Sequence, residues 1–394
     1  MQTGTLITLA LYFVAMIGIG LYAWRKSTDD IDGYMLGGRQ LTPAVAALSA
    51  GASDMSGWLL LGLPGALYAA GLVEAWIGIG LFFGALLNWI IVAPRLREQT
   101  ERFDNSLTIP QFLSRRFPDQ ALNLRVISAV VIVIFFTVYT AAGLVGGGKL
   151  FDTAFAGAFG TLPETIGMTD YRLGVCLTAI VVLGYTMVGG FLAVSLTDFV
   201  QGCIMVVALI LMPVVATMGE GGWSKMSGAL VAIDPQFLSL TAGLTAVGFI
   251  SAIAWGLGYF GQPHIIVRFM ALRSVKDVPR ARTIGMTWMG VSLIGSLGVG
   301  IAGRAYMERN GLPMDDPETI FIMLADLLFH PLITGFLLAA LLAAIMSTIS
   351  SQLLVSSSSL TEDFYRVFLR KEAKDKEMVL VGRLCFLLIA VSES

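Results

Sequence analysis

Ten stretches of this chain are long and apolar enough to cross a bilayer, and that repetition constrains the fold more than any motif does. A helix needs about 20 apolar residues to span a hydrocarbon core of roughly 30 Å. The stretches lie at about 5–24, 41–73, 75–94, 126–147, 173–193, 199–217, 240–263, 285–303, 332–357 and 378–392 of the 394 residues. Charged residues make up only 13% of the chain, about half the roughly 25% of a soluble domain. An all-α, polytopic membrane protein follows. A disordered chain, a nucleic-acid binder and an ordinary soluble enzyme are excluded. The net charge of −2 advertises no polyanionic partner. Cys176, Cys203 and Cys385 all sit in apolar stretches, which predicts no disulfide framework. His264 and His330 are too few for a histidine-based metal site.

Lysine and arginine set the expected orientation, because cytoplasmic loops collect them. Alternate loops hold 20 of the 25 basic residues. That split puts the N-terminus outside and residues 25–40 in the cytoplasm. The first stretch is followed by Arg25 and Lys26 rather than by a cleavage signature, so it reads as a membrane helix. The tenth stretch ends at Ser394 after barely one crossing, and the chain reads as truncated at its C-terminus. The outer segment 304–331 is acidic at Asp315, Asp316 and Glu318, with a short amphipathic helix expected at 318–329.

Backbone leaves the helix at membrane depth only where protein or a water-filled cavity satisfies it, so breaks mark sites. The second stretch is too long for one crossing, and its middle reads GASDMSGW, residues 51–58. Two half-helices are expected, one offering carbonyls near Ala52 and the other offering amides near Gly57. Asp54 lies near the centre of this span, as a functional acid, a protonated relay or a carboxylate capping the break. The seventh stretch carries WGLGYFGQPH, residues 255–264, where glycines and Pro263 loosen the helix. Trp255 and Tyr259 are four apart and expected on one face, as a wall over a ligand or as helix packing. Tyr139 in the fourth stretch has the same two readings. Ser347 and Thr348, in AAIMSTISSQ (343–352), are hard oxygen ligands suited to Na⁺, or hydroxyls that bond back to their own helix. Gly143 to Lys149, GLVGGGK, lacks the Ser or Thr and the preceding strand of a phosphate-binding loop. Breaks five helices apart predict two five-helix repeats, the second inverted. The single transmembrane transporter domain, 1–394, then comprises helix 1 at 5–24, a first repeat at about 41–217 and an incomplete second repeat at about 240–394.

Long motifs now carry a resemblance. LGGRQL (36–41), LSAGASDMSGWLLLGLPGA (48–66), GGFLAVSLTDFVQ (189–201), WGLGYFGQPHIIVRFMA (255–271) and LLAAIMSTISSQLLVSSSSLTEDFY (341–365) are similar to the sodium/solute symporter family, most closely its bacterial proline-transporting branch. The resemblance implies a LeuT-like inverted-repeat fold with helices 2 and 7 broken. It implies uptake of L-proline coupled to Na⁺, in the bacterial cytoplasmic membrane, with no cofactor, no nucleic acid and no required protein partner. Sodium would be held by carbonyls of Ala52, Met55 and Ala344 and by hydroxyls of Ser347 and Thr348. Asp54 and Asp198 resemble the acids tied to sodium function, although Asp198 also reads as a loop charge. Ser56 and Gly57 match residues near the substrate carboxylate, and Tyr139, Trp255, Tyr259 and Pro263 match the substrate pocket. Arg39 resembles a cytoplasmic gate residue, or is one more positive-inside charge. A symporter for another small amino acid or carboxylate, and a solute-binding sensor without transport, are the alternatives.

Overall fold

A computed structural model describes residues 3–26, 30–155, 165 and 167–393. Its helices, in chain order, are α1 (Thr3–Lys26), α2 (Ile31–Leu36), α3 (Pro43–Met55), α4 (Gly62–Ala70), α5 (Ala75–Arg102), α6 (Ile109–Arg116), α7 (Ala121–Ala154) and α8 (Asp170–Gly219). They continue with α9 (Trp223–Ile233), α10 (Ala246–Ala254), α11 (Pro263–Met270), α12 (Val278–Arg309), α13 (Ile320–Leu328), α14 (Pro331–Ser359) and α15 (Asp375–Glu393). Among the described residues the only strand-like pairing is a parallel bridge between Leu41 and Leu272.

Local sequence sets the helix starts. Proline stands in the first turn of α3, α6, α11, α12 and α14, where its missing N–H has no helical partner to lose. Asp30 and Thr108 cap α2 and α6 by accepting from the Gly33 and Gln111 amides. The helix expected at 318–329 is a tight turn, Pro317–Thr319, leading into α13. The glycines of 143–149 lie inside α7, not in a loop.

Two expected spans differ in register. The stretches 173–193 and 199–217 belong to one 50-residue helix, α8. At 1.5 Å per residue that is about 75 Å, too long for one crossing. The helix breaks at Gly190, at φ 57° and ψ −149°, a region L-residues rarely adopt. A Cβ there would also stand 2.8 Å from the Tyr34 carbonyl oxygen. No loop intervenes, and Asp198 lies eight residues into the second arm, fully buried. The seventh span starts later than 240, because Thr245 caps α10 by accepting from the Gly248 amide at 3.0 Å. It then runs as α10, a tight turn at Trp255–Gly261, and α11.

Burial separates a wrapped core from a peripheral shell. α14 is enclosed almost along its length, whereas α7 turns Ile127, Ile134, Phe135 and Val138 outward. Some arginines counted as loop charges are not at the surface. Arg268 is completely buried, and Arg39 and Arg97 nearly so. After the C-terminal end of α14 the helix widens over Leu360–Leu369, where buried Asp363 and Glu362 pair with Arg125 at 2.8 and 3.3 Å.

Candidate functional site

The end of α3 supplies oxygens. The last four carbonyls of a helix lack intrahelical donors, and α3 stops at Met55 because Ser56 turns to φ 52° and ψ −172°. The segments Pro43–Met55 and Gly57–Ala70 meet at 74°. The hydroxyl of Ser347 donates to the freed Ala52 carbonyl at 2.8 Å and to Ala344 O at 3.2 Å. Thr348 Oγ1 donates to the same Ala344 carbonyl at 3.1 Å. Ala52, Ala344, Ser347 and Thr348 are thus gathered in one buried cluster, and Met55 is buried at the end of α3. Such a set is all oxygen and uncharged. Among the described residues no group of three or more His, Cys, Asp or Glu could hold a metal ion, so the cluster suits a hard monovalent cation rather than a transition metal.

A cavity of about 80 Å³ adjoins the break, lined by Asp54, Met55, Ser56, Trp58, Tyr139, Trp255, Tyr259 and Gln262, with Leu81. The Tyr259 hydroxyl donates to Asp54 Oδ2 across it, linking one broken span to the other. Ser56 Oγ accepts from the Trp58 amide at 3.2 Å, which holds the turn. A larger cavity of about 410 Å³ shares Ser56, Trp58 and Tyr139, touches Gly57 and Thr348, and reaches Lys149 and Glu318. Lys149 pairs there with Asp316 at 2.6 Å and Glu318 at 2.7 Å.

Of the expected pocket residues, Trp255 stands at the rim of this cavity and Pro263 falls outside it. Trp255 and Tyr259 do not share a face, because the segment winds at about three residues per turn and four positions overshoot one turn. Tyr259 is 3% exposed and Trp255 61%, so one forms the floor and the other the rim. Pro263 opens α11 beyond the extended residue Gln262 and lines a separate cavity of about 20 Å³ with Ile132, Phe191 and Val267.

Asp198 belongs to a second buried group. Its Oδ2 accepts from Ser49 Oγ at 2.7 Å, Arg268 Nη2 at 3.1 Å and Ser351 Oγ at 3.4 Å. Arg268 also donates to Ser49 Oγ at 3.1 Å, Ser351 Oγ at 2.5 Å and His264 O at 2.5 Å. This ties α3, α8, α11 and α14 together. Sequence reasoning missed Arg268. The available signal was its place inside HIIVRFMA, apolar on both sides.

Arg39 closes the opposite end from Lys149. It donates to Thr100 Oγ1 at 3.1 Å, Met270 O at 2.9 Å and Ser106 O at 2.8 Å. Burial pushes its guanidinium down to about 10, which still leaves it charged at neutral pH. Beside it, Leu41 N donates to Ala271 O at 3.1 Å and Arg273 N to Leu41 O at 3.2 Å. The start of α3 is thereby fastened to the end of α11.

Comparison with known proteins shows the family and the fold. The model of the "Sodium:solute symporter family" matches residues 34–392. The osmoregulated proline transporter OpuE of Bacillus subtilis is 52% identical over 99% of this chain and 77% of its own length. The high-affinity proline transporter PutP of the same organism is 54% identical over 95% and 77%. A sodium/proline symporter of Staphylococcus aureus is 50% identical over 98% and 74%. Among solved structures, a Na⁺-coupled sialic acid symporter in a substrate-bound outward-open state superposes with a TM-score of 0.85 at 19% identity, over 100% of this chain and 80% of that one. The MhsT structure with L-phenylalanine gives a TM-score of 0.62 at 16% identity, over 90% and 80%. These two show the fold alone, an all-helical LeuT-like architecture.

Proposed function

Because the chain belongs to the sodium:solute symporter family, we propose that it is a secondary transporter coupling inward movement of Na⁺ to uptake of L-proline. It is a membrane protein and a transporter rather than an enzyme. The observation that carries the reading is the oxygen cluster of Ala52, Ala344, Ser347 and Thr348 standing at the same break as the Asp54–Tyr259 cavity.

Sodium is assigned to the carbonyls of Ala52, Met55 and Ala344 and the hydroxyls of Ser347 and Thr348. L-Proline is assigned to the cavity over Ser56, Gly57, Tyr139, Trp255 and Tyr259. Asp54 and Asp198 serve coupling, and Pro263 acts from α11 by setting where the broken span restarts. Ion binding orders residues 54–57 and raises solute affinity, and by linkage proline raises sodium affinity by the same factor. One charge moving through 100 mV gains about 2.3 kcal/mol, enough for roughly fifty-fold accumulation. Two inverted repeats, at about 41–217 and 240–394, then rock about the site. The loop charges favour an outside N-terminus in the bacterial inner membrane, with Lys149 facing outward and Arg39 inward.

Equilibrium binding of labelled L-proline to the purified chain tests this, with choline replacing sodium in the control. The expected result is binding that requires sodium and that proline displaces but glycine does not. Equal binding in choline overturns the ion coupling, and displacement by glycine overturns the substrate.

A further inference from the structure

Asn88 lies on α5, and its side chain is 1% exposed, with neither Oδ1 nor Nδ2 hydrogen-bonded. A buried amide left without partners costs several kcal/mol. It lines a cavity of about 20 Å³ together with Ala47, Gly51 and Asp54 of α3, Tyr259, and Gly285 of α12. Ala47, Gly51 and Asp54 follow one another at helical spacing, so this is one face of α3. The Ser347 contact is made by Ala52, two residues from Asp54 and about 200° around the helix. Asp54 therefore faces away from the oxygen cluster. Its Oδ2 accepts from the Tyr259 hydroxyl. Among the described residues no basic side chain pairs with it.

We propose that the cavity between Asp54 and Asn88 holds a single buried water, and that Asn88 is a positioning residue for Asp54 acting through it. The space exceeds the 10–15 Å³ or so that one water needs and is far too small for an amino acid. The partners suit water better than an ion. The carboxylate and the amide oxygen accept from it, and the amide N–H₂ donates to it. Through this bridge α5 holds the carboxylate in the orientation that Tyr259 meets. The break of α3 and the tight turn at Trp255–Gly261 then stay joined, and the Ala52 and Met55 carbonyls stay presented to the ion. The inference rests on the symport reading above and adds a residue to it.

The experiment is sodium-dependent binding of labelled L-proline to the whole purified chain, for wild type, Asn88→Ala, Asn88→Ser and Gly285→Ala. A Cβ at Gly285 meets only ordinary contacts, 3.6 Å to Ala47 Cβ and 3.6 Å to Trp89 Nε1. Gly285→Ala therefore folds, gains helix propensity, and places a methyl where the water sits. Both Asn88→Ala and Gly285→Ala are expected to raise the half-saturating sodium concentration about tenfold, while proline affinity at saturating sodium stays within about threefold. Asn88→Ser keeps a hydroxyl and room for the water, so it moves back toward wild type. A folded Gly285→Ala with wild-type sodium dependence overturns the water. An Asn88→Ala that weakens sodium and proline in equal proportion, with no recovery in Asn88→Ser, overturns the positioning role. A wild type that binds proline without sodium overturns the symport reading and this inference with it, whereas the other failures leave that reading standing.

Discussion

Asp54 and Asp198 are both carboxylates enclosed by membrane helices, and their partners give them different jobs. Asp54 meets a neutral hydroxyl, Tyr259, and among the described residues no basic side chain balances it. Asp54→Asn keeps the shape and removes that charge. It is expected to raise the half-saturating sodium concentration at least about tenfold with proline contacts largely kept, as a sodium titration of proline binding will show. Asp198 meets the guanidinium of Arg268, also buried. Arg268→Met strands a buried carboxylate and is expected to destabilise the fold by about 3–5 kcal/mol, whereas adding Asp198→Leu restores most of that loss. Thermal unfolding in detergent separates the two variants. Asp54 was legible in sequence because a lone acid inside an apolar span has few innocent explanations. Arg268 was not, since beside Arg273 and Lys276 it counts as one more loop charge. Asn88 was not legible either, because an uncharged amide among apolar neighbours shows its lack of partners only once the helices are packed.

The broken elements derive from small residues rather than from proline alone. In α5, Gly84 lets the backbone of the tight turn at Trp255–Gly261 lie directly against the helix, and a Cβ there would stand 2.2 Å from the Gly256 carbonyl oxygen. Gly84→Val must push that turn away, moving Trp255 and Tyr259 with it. Proline affinity is expected to fall about tenfold or more, in the same binding assay. The break in the second span was legible because GASDMSGW places polar and flexible residues where a helix needs apolar ones. The change of face between Trp255 and Tyr259 was not, because helical spacing assumes 3.6 residues per turn and this segment is wound tighter. The join inside α8 was missed for a related reason: one glycine at positive φ turns the chain without the polar loop that hydropathy looks for.

At the scale of the whole molecule, the vestibule opens toward Lys149 and Glu318, and the other end is closed around Arg39. Arg39 joins the start of α3 to the ends of α5 and α11, using three acceptors that a lysine ammonium cannot reach in the same fork. Arg39→Lys is expected to loosen that end. A cysteine replacing buried Ser358, which lines the small cavity with Leu107, Thr108 and Pro263 near that end, with Cys176, Cys203 and Cys385 changed to serine, should then react about tenfold faster with a polar thiol reagent. The enclosure of α14 has a consequence of its own. α1 and α7 turn apolar side chains outward, while the helix that carries Ser347 and Thr348 is wrapped by protein on nearly every side. The proposed ion site is thus insulated from its host membrane, so sodium affinity should hold steady as acyl-chain length varies, while the rate of transport, if the outer helices move against lipid, should not.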